Sequence, residues 1–376
     1  MRTLQKVLLS ALLFSACSQS EQLKYELYVD IDSCLKAQNV SIYDLFSRLK
    51  LVALDDSIPE NNNVYSGPAY IAKSEERIYI LDERRQTVNV YDLQGSLLMH
   101  SNNVGRGPGE YTMGRQIQYN PKLNLVEILN PSGQILRYTP DSLKYVSKLS
   151  FSGSPLATHW IAQQETGYYL FSYSDEHQLY YMGLNQTKPE SLKYSSPDNL
   201  RHYMAPYPPI FCLDGRPAVF RVNDGQIYNI GDSDKSVTPI LRWDFGKYNS
   251  RLKDIPQYDD ARKYEDFISS YSQDHIAAFA SMIAHKANIF STVVFRNTIY
   301  NLHYNTEAQS YHFFERTIED MSFLPELFVD GVMYKYIDAQ FLPKYVNREI
   351  LDPDSRAAYD EILESGGSGV IKYYLD

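Results

Sequence analysis

A hairpin motif recurs along this chain at a nearly constant spacing, and that periodicity limits the fold more than any other feature. Its clearest copy lies in residues 77–111, where Ile78 and Ile80, then Val88 and Val90, fall at period two among β-branched and aromatic neighbours. Asp92-Leu93-Gln94-Gly95 supplies a turn: the aspartate bonds its own backbone and the glycine accepts a positive φ before Ser96-Leu97-Leu98 returns. With Tyr91 as marker, comparable hairpins centre on Tyr138, Met182 and Asn229, at spacings of 47, 44 and 47 residues. The next, at Leu302, lies 73 residues further on. Subtracting roughly thirty residues of inserted helix restores the period. A sixth unit occupies residues 327–347. Several short strands per repeat of ~40–50 residues predict an all-β fold, a six-bladed β-propeller. A β-sandwich lacks so long a fixed period, and β-helix rungs are much shorter.

The interruption falls in residues 254–286. Asp259-Asp260 can start a helix that places Tyr264, Phe267, Ile268 and Tyr271 on one face, and Ile276, Phe279, Ala280 and Ile283 predict a second helical stripe. Such an insertion either forms part of a rim over the central channel or shields a blade edge. Near the start, residues 25–31 alternate as a strand. Residues 41–50 put Ile42, Leu45, Phe46 and Leu49 on one helical face behind a Ser41 cap, Leu51, Val52 and Leu54 resume strand character, and residues 59–63 read as a polar loop. Near the end, Asp352 caps a helix with Pro353 at its first position and a stop at Gly366-Gly367, and residues 369–375 read as a strand. A circular fold must join its two ends. The N-terminal segment and the 369–375 strand are therefore expected in one final blade, which makes 25–376 a single domain.

Residues 1–17 are expected to be an address and not part of the fold. Arg2 and Lys6 precede an apolar run from Val7 to Phe14, far short of the ~20 residues that span a bilayer. Phe14-Ser15-Ala16-Cys17 resembles a bacterial lipobox, in which Cys17 becomes the acylated N-terminus. Residues 18–24 would then be a tether, and the protein would sit in the cell envelope, periplasmic or on the outer-membrane surface. Loss of Arg2 and Lys6 takes the net charge from −10 to −12, which argues against nucleic acid or an anionic lipid surface as partner. Cys34 and Cys212 could pair in an oxidising compartment, subject to geometry; otherwise they are thiols.

The most distinctive motif is Gly105-Arg106-Gly107-Pro108-Gly109-Glu110-Tyr111. Three glycines and a proline in five residues demand unusual backbone angles, yet no Lys-Ser/Thr follows to make a phosphate loop. Either Arg106, Glu110 and Tyr111 face a ligand at the channel mouth, or the loop is an inter-blade connection whose charges pair with backbone or each other. A second candidate is the proline-stiffened loop of residues 202–209, in which His202, Tyr203 and Tyr207 could stack on sugar rings or a peptide. Trp160 and Trp243 occupy strand positions and are expected in the core. The eight histidines show no HxH or HExxH spacing, and no GxSxG is present.

Gly105 to Tyr111 behind the strand-strand-turn unit, with Lys50-Leu51-Val52-Ala53-Leu54-Asp55-Asp56 before it and Gly369 to Leu375 closing the chain, resembles the six-bladed β-propeller lipoproteins of Bacteroidetes. That family is similar to NHL-type propellers, which include binding scaffolds and some enzymes with a metal in the central channel. The resemblance implies a lipid-anchored module for a glycan, peptide or envelope protein, with no catalytic residues and no cofactor. The alternative is a propeller-type hydrolase or lyase holding a calcium-like divalent cation in the channel. Converging His, Asp or Glu side chains there would favour the enzyme, and aromatic lining would favour binding.

Overall fold

The computed structural model describes residues 25–37, 39–55, 57, 69–152, 157–173, 177–194, 207–213, 215–231, 234–251 and 261–375. The leader at 1–17 with Cys17, the tether, the loop at 59–63, the Asp259-Asp260 helix start, His202 and Tyr203 lie outside them.

Strands β1 (Tyr25–Tyr28) and β2 (Arg48–Leu54) come first, with helix α1 (Ile31–Ala37) between them. Four-stranded antiparallel meanders follow. Blade 1 is β3–β6 (Ala69–Lys73, Arg77–Asp82, Thr87–Asp92, Leu97–Asn102) and blade 2 is β7–β10 (Gln116–Asn120, Leu125–Asn130, Gln134–Tyr138, Tyr145–Ser150). Blade 3 is β11–β14 (Trp160–Gln163, Gly167–Phe171, Leu179–Gly183, Glu190–Ser191) and blade 4 is β15–β18 (Ile210–Leu213, Arg216–Phe220, Ile227–Ile230, Val237–Asp244). After helix α2 (Ala261–Tyr271) comes blade 5, β19–β22 (Ala278–His285, Asn288–Phe295, Thr298–Asn305, Ser310–Phe314). Blade 6 contains β23 (Leu327–Val329) and β24 (Val332–Asp338), then helices α3 (Leu342–Tyr345) and α4 (Pro353–Ser365), then β25 (Ser368–Tyr374). The first strands are innermost. From β3 through β7, β11 and β15 to β19 each touches the next, and β23 touches β3. The molecule is a six-bladed β-propeller, as the repeat predicts. Tyr91, Tyr138, Met182, Asn229 and Leu302 all sit in the third strand of their blades.

The chain ends meet as expected. β2 pairs antiparallel with β25 from Arg48↔Tyr374 to Leu54↔Ser368, so the N-terminal segment supplies the outer strand of blade 6. Its free edge is covered. The Leu51 N–H donates to Ser355 Oγ of α4 at 3.2 Å, and the Asp55 N–H donates to the Gly95 carbonyl at 2.9 Å. Gly95 has φ +97°, and a Cβ there would stand 1.9 Å from the Ala53 carbonyl oxygen, so the turn glycine of blade 1 is what lets this edge be capped. Upstream, β1 adds a parallel fifth strand to blade 4, and α1 lies against β22 of blade 5. Residues 25–54 thus strap the outside of three blades.

Two expected helices are absent. Residues 41–50 contain one 3-10 turn, Ile42–Asp44, with Ser41 and Asp44 in a capping box, and then enter β2. Ile42, Leu45, Phe46 and Leu49 are all buried in the cluster between blades 5 and 6, so their spacing recorded burial and not a helix. The second stripe of the insertion is the innermost strand β19. Almost every residue of that strand is buried on one face or the other, which erases the period-two signal and leaves an apolar run that mimics a helix face. The helix at Tyr271 and the C-terminal helix form where predicted. Asp352 Oδ1 accepts the Ser355 N–H at 2.8 Å, and Gly366 stops α4 at φ +68°. No helix among the described residues is long and apolar enough to cross a membrane. Cys34 and Cys212 do not pair with each other in a disulfide.

Apolar side chains fill the seams between blades. Tyr79, Leu81, Val126 and Ile128 close the seam of blades 1 and 2, and Leu129, Ile135, Tyr168 and Leu170 that of blades 2 and 3. Each such side chain contributes about 1.5–3 kcal/mol. Trp160 and Trp243 are buried, as expected. A fully buried carboxylate, Glu127, accepts from Arg137 Nε at 3.0 Å, from Gln118 Nε2 at 2.9 Å and from the Tyr168 hydroxyl, which binds blade 2 to blade 3 through charge.

Candidate site at the channel mouth

All six first strands run the same way about the axis, so residues at their N-terminal ends gather at one mouth of the ring. The connections between blades and the hairpins between second and third strands come to the same end. Five blades send a chemistry-bearing residue there: Tyr70 in β3, Arg115 before β7, Trp160 opening β11, Tyr207 before β15 and Glu326 before β23.

On the side of blades 1 to 3, Arg115 and Glu83 form a largely buried ion pair, and the Tyr70 hydroxyl donates to Glu83 Oε2 at 3.2 Å. The Arg115 guanidinium lies 5.3 Å from the centre of the Trp160 ring and 5.9 Å from that of Tyr70. The two rings meet edge-to-face at 5.7 Å. Such contacts contribute about 0.5–2 kcal/mol each, more as water is removed. Two donors in this group, Arg115 Nε and Trp160 Nε1, are buried without a hydrogen-bond partner among the described residues.

On the blade 6 side, Lys335 Nζ stands 2.9 Å from Glu326 Oε1 and 4.6 Å from the Tyr345 ring centre, and Glu326 Oε2 accepts the Tyr336 N–H at 2.9 Å. Tyr207 links the two sides. Burial, then the charges of Glu326, Tyr345 and Tyr70, push its phenol well above the usual range. A residue carried by the chain entering blade 4 therefore lies within electrostatic reach of blades 6 and 1, across the axis. Both carboxylates are ion-paired and the phenol stays protonated at neutral pH. The set can stack and donate hydrogen bonds. Among the described residues no three His, Cys, Asp or Glu side chains come together as metal ligands.

The Gly105–Tyr111 motif does something else. It follows β6 and joins blade 1 to blade 2. The Glu110 carboxylate folds back on its own loop, where Oε2 accepts the Gly107 N–H at 2.7 Å; a Cβ on Gly105 would lie 1.9 Å from that oxygen. Gly109, at φ +78°, leaves room for the Tyr145 ring, and its carbonyl accepts from the Tyr138 hydroxyl at 2.9 Å. Tyr111 is 1% exposed and its hydroxyl donates to the Gln86 carbonyl at 2.8 Å, so it braces the seam and does not face a ligand. Arg106 and Glu110 are exposed on the loop. Of the second candidate loop, only Tyr207 lies among the described residues that reach the mouth.

Sequence reasoning passed over Tyr70, Glu83, Arg115, Glu326, Lys335 and Tyr345, whereas its assignment of Trp160 to the core holds, the fully buried ring backing the cluster. None belongs to a motif. Their shared signal is register: several sit at or just before the start of a first strand, a position that alignment of the repeats on their third-strand markers would expose.

No functionally curated protein matches the chain in sequence. Among solved structures, it is similar to a candidate exported protein from Bacteroides fragilis, with a TM-score of 0.69 at 14% identity over 93% of this chain and 99% of that one. It is also similar to a member of the DUF4221 family from Bacteroides vulgatus, with a TM-score of 0.50 at 9% identity over 88% of this chain and 97% of that one. Identities this low speak to fold alone. Residues 18–326 match the family model described as DUF5128, 6-bladed beta-propeller, and the chain belongs to that family.

Proposed function

We propose that this propeller is an exported, lipid-anchored binding module of the cell envelope, with the channel mouth as its ligand-binding face and a glycan as the ligand the mouth fits best. The observation that carries the reading is the cluster of half-buried rings, Tyr70, Tyr207 and Tyr345, backed by the buried Trp160 and set around two internally neutralised ion pairs. Rings that stack and polar groups that donate, without unpaired charge, suit a neutral, hydroxyl-rich ligand. A peptide or a partner protein with an exposed polar loop is the next occupant the same chemistry accepts. Cys17 is the proposed lipid attachment point, and the kinship is with the scaffolding members of the NHL-type propellers.

A glycan and metabolite screen on protein lacking residues 1–21 tests the reading. Tyr207→Ala is expected to weaken capture at least tenfold while leaving the melting temperature within about 1–2 °C of the parent. Equal capture by parent and variant would remove the mouth from the proposal, and hydrolysis of a captured glycan would turn it toward the enzyme alternative. Separately, Cys17→Ala in the full chain is expected to move the protein from the detergent phase to the aqueous phase; unchanged partitioning removes the anchor.

A further inference from the structure

The seam of blades 6 and 1 holds a second constellation outside the mouth cluster. The pairing of β2 with β25 sets Lys50 directly opposite Lys372, so both side chains stand on one face of the sheet, an arrangement in which like charges destabilise a strand pair. That face is turned toward blade 1, where Tyr334, Tyr336 and Val370 meet Ile78, Ile80 and Tyr91. A third lysine, Lys73 at the end of β3, faces the same seam. Burial, then the charges of Lys73 and Lys50, hold the Lys372 ammonium down at about 8, against the opposite pull of Asp92.

Nothing in the described chain neutralises this group. Lys372 Nζ donates to a neutral acceptor, the Leu93 carbonyl, at 3.0 Å. None of the three lysines has a carboxylate partner among the described residues. Asp92 spends its Oδ1 on the N–H groups of Gln94 and Ser96, each at 2.9 Å. Beside the lysine pair runs an open groove of about 1300 Å³ between the blade 1 turn and α4, with Lys50 and Lys372 in its wall. Its lining includes the small residues Gly95, Ala357, Ala358 and Gly366. The carboxylates on its walls are Asp55, already bonded to the Ser57 N–H at 2.9 Å, and Asp354 and Glu361 of α4.

We propose that this groove is an oxyanion-binding site, in which a sulfate, phosphate or carboxylate group carried by a ligand docks against Lys50 and Lys372 at the seam that closes the ring, with Lys73 adding to the field. Lysine suits such a group as a point charge, and charge-assisted hydrogen bonds replace the missing counter-ion. Occupancy ties β2 and β25 to blade 1 and holds the proton on Lys372 to higher pH.

The test compares thermal unfolding of the parent, Lys372→Met and Lys50→Met in sodium sulfate, sodium phosphate and sodium glucuronate, each against sodium chloride at matched ionic strength. Sulfate and phosphate stabilise most proteins by exclusion from the surface, so the readout is the gain of the parent beyond that of each variant. The expected result is an excess gain on the order of a few °C with at least one of the three anions, lost in both variants, while Lys372→Met without added oxyanion melts at or above the parent. Which anion gives the excess identifies the group. Equal gains in parent and variants overturn the site, and so does a Lys372→Met protein that melts lower and keeps the full gain. Should Lys372→Met fail to fold, Lys50→Met carries the same comparison, backed by the Lys372 side-chain resonance, whose titration is expected to move upward with the anion and to stay unmoved if the site is absent.

Discussion

The seam between blades 2 and 3 and the seam between blades 6 and 1 are both sheet faces filled with apolar side chains, yet their charges are settled in opposite ways. In the first, Glu127 is fully buried and meets a guanidinium, a phenol and an amide, and Arg137 Nη2 also reaches the Tyr168 hydroxyl at 2.9 Å. In the second, three lysines converge and Asp92, the carboxylate that pulls on Lys372, is bonded to its own turn. The interior seam joins consecutive blades and carries its own counter-charges. The closing seam joins the first blade to the last, and among the described residues its lysines have no carboxylate partner.

The largest effect is expected from breaking the balanced seam. Arg137→Met leaves Glu127 buried and uncompensated and should cost about 3–5 kcal/mol in denaturant unfolding, whereas replacing both Arg137 and Glu127 with apolar residues should recover most of that loss. The seam of blades 5 and 6 lies between the extremes, because it holds a base that is kept neutral. His303 stacks on Phe290 at 4.7 Å, and burial, then His312, hold it down at about 4. Between pH 6.5 and 4 the unfolded chain binds a proton that the folded chain refuses, so stability should fall through that window by about 2–3 kcal/mol, and His303→Phe should flatten the decline in a pH series of melts.

Lys372→Met should act in the other direction, raising stability near neutral pH by about 1–2 kcal/mol after allowance for solvent screening. Above about pH 8 the folded parent sheds the Lys372 proton while the unfolded chain keeps it to ~10.4, so the parent should gain stability over that range and the variant should not. The smallest effect belongs to the seam of blades 1 and 2, where Tyr111→Phe removes one hydroxyl from the Gln86 carbonyl and should cost about 1 kcal/mol with ligand capture unchanged. A loss of capture in that variant would return Tyr111 to the ligand face.

The fold was legible because its repeat lies in third strands, where a polar turn recurs beside a pleated run. Asp352, Pro353 and Gly366 marked α4 for the same reason: caps and stops depend on a few local bonds. The errors came where tertiary burial overrode local pattern. Ile42, Leu45, Phe46 and Leu49 are spaced like a helix face but line a strap, and Ala278–His285 is buried like a helix core but is a strand. The candidate site was legible only at Tyr207. Gly105 to Tyr111 drew attention because its backbone is constrained, and the constraint serves the loop itself. The mouth residues have no local signature, since the ring and not the chain brings them together.

The pairing of β2 with β25 also sets a temporal order. Its partners, Arg48–Leu54 and Ser368–Tyr374, are separated by all five other blades, so those blades must be available before the loop between the partners can close, and the entropy of that closure comes before the pairing offsets it. Until then the strap has no strand to join and blade 6 keeps an open edge. Completion of the ring is thus a late event in folding, and a chain cut short by even its final strand would lose the latch that holds its beginning to its end.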